Sequence, residues 1–464
     1  MIPISTKLIY NGTVLTMNAA GEIFKPGYVY IEHDTILEVG EWTGSVRKER
    51  LLQEAGSAYD VSGKVVIPGI VNGHTHLFQT FMRGVSDRSP LAQWLREIIW
   101  PMSLAMEPED FYLAALIGCI ENLKSGATYI MDHHYIHTFP ENDASVLQAM
   151  VDSGIRGHLA RGCSDLAGEI RFRETEEQIF DATDRLLDEW EGAAQGRIRI
   201  ALGPLNLYGC SRGYLEKAAV FSRDRGLISH VHVAETSEQI ENTMARYGRR
   251  NLELLDDVGL LGEQTQVVHG VWLDDGELEL IRDKGASVMH CPVSNMYLAS
   301  GVARVPEMLR MGINVALGTD GPGSNNCQDN LEVLKFTACL HKVNELDATL
   351  LPPMEVLRMA TVNGAKAVGR SHDLGTLEPG KKADLVTVDM MKAHISPVHR
   401  ASSALVYNAN GNDVDLVIVG GQVVVEHGKS TWIDEQDVLR QAQMRVDALR
   451  SKLAGAYPIF ANHD

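Results

Sequence analysis

The feature that most constrains the fold is a series of short apolar runs, separated by helix-length stretches, that end on polar or ionisable residues. Eight can be read: GIVNGHTH, ATYIMDHH, IRGHLARG, RIRIALGP, LISHVHVAE, TQVVHG, ASVMHCP and INVALGTD. Eight strands alternating with helices predict an α/β fold, a parallel (β/α)8 barrel of the TIM type. Such a barrel places its chemistry at the carboxyl ends of its strands. The polar residues obey that rule: His74 and His76 end the first run, His134 the second and Arg161 the third. His232 and Glu235 follow in the fifth, His269 in the sixth, His290 in the seventh and Asp320 in the eighth.

On either side the texture changes. Residues 7 to 66 alternate apolar and polar positions in short stretches such as LIYNGTVLTM and YVYIEHDTILEVG, with Asn-Gly and Gly punctuation suited to hairpins. The pattern returns at 374 to 429 in LGTLEPGKKADLVTVD and DLVIVGGQVVVEHG. The expected organisation is therefore a small β-sandwich domain built from both chain ends (1–66 and 374–432), a barrel over 67–373, and a closing helix and tail over 433–464. In that helix Leu439, Ala442, Val446, Leu449 and Leu453 recur at spacings of three and four, a stripe read as core packing rather than a subunit interface. A chain of 464 residues with 45% apolar content exceeds one ordinary core, which agrees with two domains.

Composition excludes several classes. No run of eighteen apolar residues occurs, and the first residues lack a basic segment followed by an apolar stretch, so a cytoplasmic protein away from membranes is expected. Six cysteines without a CxxC pair argue against a disulfide framework or a zinc knuckle. A formal charge of -19 with no basic stripe disfavours nucleic acid and leaves small molecules as partners.

In a strand, residues i and i+2 share a side, so His74 and His76 can face one cavity with Thr75 turned away. His232 stands nearer the carboxyl end of its run than His230 and is assigned to the metal, leaving His230 packed behind. Asp320 adds a carboxylate. Three imidazoles and one carboxylate make a zinc-type set of ligands for one divalent ion per chain, Zn2+ or alternatively Fe2+, with room for water. Such an ion lowers the pKa of its water from 15.7 to about 7, which makes attack on a ring carbon feasible. Expelling an amine then needs a mobile proton, and Glu235 is the expected shuttle. Asp320 can hold the ion and also take the proton of its water. His269 is either a fifth ligand or, as favoured here, a hydrogen-bonding group at the reacting centre. The fourth run ends in Gly203, Pro204 and Leu205, without the lysine that a two-metal site of this kind commonly uses.

For a flat ring the expected contacts are Gln79, Arg83, Trp94 and Arg161, with His290 as a further lining residue. Three of them have a plainer reading: Trp94 can fill a loop core, Arg83 can pair with Asp87, and His290 can be a structural histidine.

Taken together, PGIVNGHTH, HVAE, VVHG, SNMYLASGVARVPEML, LGTDGPGSNN and GTLEPGKKADLVTVD resemble the amidohydrolase superfamily over nearly the whole chain. The nearest resemblance is to its mononuclear deaminases and triazine hydrolases. It implies the ligands His74, His76, His232 and Asp320, with Glu235 and His269 catalytic, and a homodimer. HTHLFQTFMR, LAQWL and DHHYIHTFP resemble 8-oxoguanine deaminases and triazine hydrolases, whereas Arg83-Gly84, Trp94 and Arg161-Gly162 resemble methylthioadenosine and S-adenosylhomocysteine deaminases. Those nucleoside deaminases carry a His and a Glu where Leu205 and Ser103 stand here, which moves the expectation toward a free purine, pterin or triazine. The nucleoside deaminase, a triazine chlorohydrolase, a cyclic-amide hydrolase and a non-catalytic scaffold are the alternatives.

Overall fold

The computed structural model describes residues 5–85, 89–166 and 168–461, so Asp87 lies outside the described residues. The eight apolar runs become eight parallel strands: β1 (Ile70–Thr75), β2 (Ala127–His134), β3 (Arg156–Cys163), β4 (Ile198–Pro204), β5 (Ser229–Val233), β6 (Thr265–His269), β7 (Ser287–His290) and β8 (Asn314–Leu317). They form one sheet in which each strand neighbours the next in sequence. Every residue of β1, β2, β3, β6 and β7 is buried, as a parallel sheet covered on both faces requires.

The barrel is drawn together where β8 meets β1. There the Asp320 amide donates to the His74 carbonyl at 2.9 Å, while on the other side of β8 the Gly318 amide donates to the His290 carbonyl of β7 at 2.9 Å. A Cβ on Gly318 would stand 3.0 Å from the His74 main-chain nitrogen, so glycine allows the close approach there. Between β5 and β6 the register aligns His232 with Val268 and Val233 with His269. That register brings their side chains to one level at the carboxyl end.

By internal packing the chain divides into Met1–Asn72, Ile120–Tyr129 and Asp329–Ile433, and into Gly73–Cys119, Ile130–Gln328 and Asp434–Asp464. The first unit contains a nine-stranded, largely antiparallel sheet. Strand Leu385–Asp389 pairs antiparallel with Lys64–Pro68, from Leu385 opposite Pro68 to Asp389 opposite Lys64, which joins the two chain ends. Residues 380–383 return to the far strand Thr35–Glu41, so the sheet closes over one core of Ile9, Val29, Ile31, Leu385, Leu416 and Ile418.

Three local expectations change. Asn11-Gly12 is not a hairpin turn but an irregularity inside strand Thr6–Leu15, where the missing Cβ of Gly12 leaves room for the Val61 side chain. Residues 329–373, expected with the barrel, fall in the first unit, where the Asn330 side chain donates to Asn122 at 3.1 Å and Ser125 at 2.9 Å. The closing helix, Glu435–Leu453, belongs to the barrel unit and buries Val438, Ala442, Leu449 and Leu453, while Leu439 is 47% exposed. The apolar seam therefore runs one residue off the expected stripe at its start.

Candidate active site

The carboxyl ends of β1, β5, β6 and β8 bring His74, His76, His232, His269 and Asp320 together. The Nε2 atoms of His74 and His76 stand 3.3 and 3.4 Å from the same Asp320 oxygen, Oδ1. Two ligands about 2 Å from one tetrahedral ion are about 3.3 Å apart, so these separations suit a shared cation.

The other ring edges explain why Nε2 is the atom presented. His76 Nδ1 donates to the His133 carbonyl at 2.6 Å, and His232 Nδ1 to the Leu205 carbonyl at 2.8 Å. For His74 the restraint is a relay. The Gln266 side-chain oxygen accepts from His230 Nδ1 at 2.5 Å, which leaves His230 Nε2 to accept from His74 Nδ1 at 2.7 Å. In a neutral ring the proton on Nδ1 leaves a lone pair on Nε2. Burial pushes His74 down to about 3 and also lowers His76 and His232, so all three rings are neutral near pH 7. Against the opposing effect of burial, Asp320 is held well below the usual carboxylate range, as an anion among hydrogen-bond donors. Its Oδ2 accepts from Ser294 Oγ at 2.6 Å and its Oδ1 from the Gly321 amide at 2.7 Å. The donor set therefore fits one divalent cation.

Glu235 is 4% exposed. Gln239, one turn along, donates to its Oε2 at 3.2 Å and accepts from its amide at 3.0 Å, while Ser300 Oγ approaches Oε1 at 3.4 Å. Burial raises its pKa against the opposing pull of His269, whose Nε2 stands 3.9 Å from Oε2. His269 Nδ1 donates to the Asn295 side-chain oxygen at 3.0 Å, so its Nε2 can exchange a proton with a group in front of it.

Ala234, His269 and Asp320 adopt φ of 52°, 69° and 61°. Left-handed backbone in non-glycine residues costs on the order of 1–3 kcal/mol each and gathers at functional sites. Here it turns the chain sharply after β5, β6 and β8.

A cavity of about 450 Å³ is lined by His76, His232, Glu235, His269 and Asp320 together with Gln79, Tyr135, Trp94, Trp100, Phe172 and Leu205. Gln79 donates to the Tyr135 hydroxyl at 3.0 Å, and its buried Oε1 has no hydrogen-bond partner. Trp94 is fixed as a wall by its indole N–H, which donates to the Gly323 carbonyl at 3.0 Å. The other three expected contacts are not among the lining residues. Arg83 is exposed, and His290 is fully buried at the end of β7. Arg161 is buried and engaged elsewhere, its Nε on Asp143 at 3.1 Å and its two terminal nitrogens on Glu174 at 3.0 and 2.7 Å. Sequence reasoning did not find Tyr135, Gln239, Ser294, Asn295 or the His133 carbonyl; Gln239, four residues past Glu235 on a helix start, was the most legible of these.

Known proteins share this architecture. A 5'-deoxyadenosine deaminase from Methanosarcina mazei is 40% identical over 446 residues, covering 96% of this chain and 99% of that protein. A 5-methylthioadenosine/S-adenosylhomocysteine deaminase from Pelotomaculum thermopropionicum is 39% identical over 438 residues, 94% of this chain and 97% of that one. Among solved structures, an adenosine deaminase from Xanthomonas campestris with bound zinc superposes with a TM-score of 0.87 at 27% identity, covering 96% of this chain and 99% of that chain. The family model described as the amidohydrolase family matches residues 65–424, and this chain belongs to that family.

Proposed function

We propose that the chain is a metal-dependent deaminase of adenine nucleosides that carry an apolar or thioether group at the 5' position. The observation that supports it best is a buried acid, Glu235, facing His269 in a cavity also lined by His76, His232 and Asp320, with His74 within ligand distance of these groups. The choice of substrate class rests on the relatives, both named for 5'-modified adenosines. It reverses the preference for a free base that Leu205 and Ser103 suggested. Leu205 lines the cavity, but so do Asn206, Glu238 and Asn242, which offer polar groups to a ribose. Trp100, Phe172 and Leu298 offer apolar wall to a 5' substituent.

In this reading His74, His76, His232 and Asp320 hold one zinc-type ion, which when bound supplies a water acidic enough to attack at neutral pH. Glu235 gives a proton to the ring nitrogen beside the attacked carbon, recovers one from the hydroxyl now on that carbon and passes it to the departing amine. It is recharged by the proton that Asp320 took from the water. Asp320 Oδ1 takes the proton of the water, and His269 Nε2 steadies the oxygen that replaces the amine. Gln79 Oε1 accepts from a substrate N–H, and Trp94 covers the ring face. Six free thiols and the absence, among the described residues, of any helix fit to cross a membrane support a cytoplasmic address. The homodimer is carried over from the resemblance.

The test is ammonia release from metal-loaded protein with 5'-deoxyadenosine, methylthioadenosine and S-adenosylhomocysteine, against guanine, 8-oxoguanine, a pterin and an aminotriazine. Turnover confined to the adenosine derivatives is expected. Ammonia from a free base alone, or chloride release from a chlorotriazine without ammonia from any nucleoside, would overturn the reading.

The relay behind His74 makes its own prediction. His230→Leu keeps bulk in the core but removes the acceptor of His74 Nδ1. Metal affinity is expected to fall about 10–100-fold, the usual effect of losing a partner that orients a ligand. Competition with a chromophoric chelator measures it, and unchanged affinity would show that His74 needs no such partner.

A further inference from the structure

A second group of metal-type side chains lies outside the site just described, and the proposed deaminase chemistry makes no use of it. His134 ends β2, His137 follows in the loop, and Asp143 stands in the first turn of helix Asn142–Ser153. Their ligand atoms all lie within 4.8 Å of one another. His137 Nδ1 is 3.2 Å and His134 Nε2 4.0 Å from the same oxygen, Asp143 Oδ1.

For His137 and Asp143 the surrounding bonds leave lone pairs facing inward; both ring nitrogens of His134 are without a hydrogen-bond partner. His137 Nε2 donates to the Gly162 carbonyl at 2.6 Å, so in the neutral ring Nδ1 is an acceptor turned toward an acceptor, Asp143 Oδ1. Arg161 Nε donates to the other oxygen of Asp143, Oδ2, at 3.1 Å and does not occupy Oδ1. His134 Nε2, His137 Nδ1 and Asp143 Oδ1 are all buried without a hydrogen-bond partner. Their side chains are 0%, 6% and 8% exposed, and Phe78 and Phe111 close on the His134 ring edge-to-face. Three such atoms meeting in a buried site walled on one side by Phe78 and Phe111 are costly unless a cation joins them.

Charge points the same way. Asp143 and Glu174 carry two negative charges against the single positive charge of Arg161, and both carboxylates are largely buried. A proton on His137 would balance the charge but would leave His134 Nε2 unserved. A divalent ion serves all three atoms, and two imidazoles with a carboxylate are ligands of the zinc class. Ligand pairs around such an ion are about 3.3 Å apart, close to the observed 3.2 Å, with a modest closing of the 4.0 Å side.

We propose that His134, His137 and Asp143 form a second binding site for a zinc-type divalent cation, a clamp that ties the end of β2 to the following helix. The clamped segment carries Tyr135, which holds Gln79 in the wall of the main cavity. The site is therefore structural, and its occupancy is independent of the ion expected at His74, His76, His232 and Asp320.

Crystals of the full chain grown with zinc and no chelator, measured above and below the zinc absorption edge, decide the question. Anomalous density among His134, His137 and Asp143, separate from any density at the main site, is expected. Zinc content after dialysis should be two equivalents per chain, falling to one in His137→Ala and in Asp143→Asn with the main-site density retained. Density at the second position alone would still support this inference while overturning the proposed use of the main site. No density there in the unmodified protein, with one equivalent bound under excess zinc, would overturn it and leave a protonated His137 paired with Asp143.

Discussion

Glu235→Gln is expected to lower kcat by about 10²–10⁴-fold, the scale of one acid-base group, with the metal content of the main site unchanged. The substitution is nearly isosteric. With its oxygen toward Gln239 Nε2 and its NH2 toward Ser300 Oγ, which then accepts instead of donating, the new side chain keeps both contacts, at 3.2 and 3.4 Å in the unmodified protein. What is lost is a group that can alternately carry and release a proton. Burial raises the Glu235 pKa, which favours its acid form, while the nearby His269 pulls the other way, so the carboxyl is suited to both halves of a shuttle. Because Glu235 is not among the residues proposed to hold the ion, metal content separates this role from a ligand's. Steady-state kinetics with parallel metal analysis is the measurement; an ordinary kcat in a protein with full metal would remove Glu235 from the mechanism.

How much of this could be read from the chain depends on the kind of information each feature carries. The barrel strands were legible because each run is short, apolar and closed by a polar residue, and because closing residues at a barrel's carboxyl end converge whatever their separation in sequence. His74, His76, His232, His269 and Asp320 were found this way, and they do line or underlie one cavity. Arg161 shows the limit of the rule. It also stands near the end of a strand, yet Asp143 and Glu174 satisfy its guanidinium in a separate cluster, and nothing in the sequence announces that pairing. The partners that set ring orientation were hidden for a related reason. His76 is turned by a main-chain carbonyl of His133, 57 residues away, and a carbonyl has no residue-type signature. Asn11-Gly12 misled because the signal for a hairpin and the signal for a bulge in a strand are the same left-handed conformation, here φ 72° at Asn11. Leu439 misled because helical periodicity fixes a stripe's spacing more firmly than its phase, and Val438 takes the buried place.

His232→Ala is expected to abolish metal retention at the main site and, with it, turnover. His232 is held in place by protein contacts: its Nδ1 is bonded to the Leu205 carbonyl, and its ring stacks on His76 at 5.3 Å and on His269 at 5.4 Å. Its Nε2 is thus presented in advance, and the alanine variant deletes a ligand without disturbing the partners that orient His74 and His76. Two imidazoles and one carboxylate remain, and the deficit differs in kind from that of His230→Leu, where all four ligands stay but one is loosely aimed. A metal's contribution of several kcal/mol to the barrier corresponds to a loss on the order of 10³-fold or more. Excess metal should partly rescue the relay variant, which still has its full set of ligands, and should fail to rescue His232→Ala. Metal analysis after dialysis, followed by activity across a zinc titration, separates the two. A His232→Ala protein that keeps a full equivalent among His74, His76 and Asp320 would take His232 out of the ligand set and turn attention to His133, whose ring stacks on it at 4.9 Å and belongs to the same cluster of histidines.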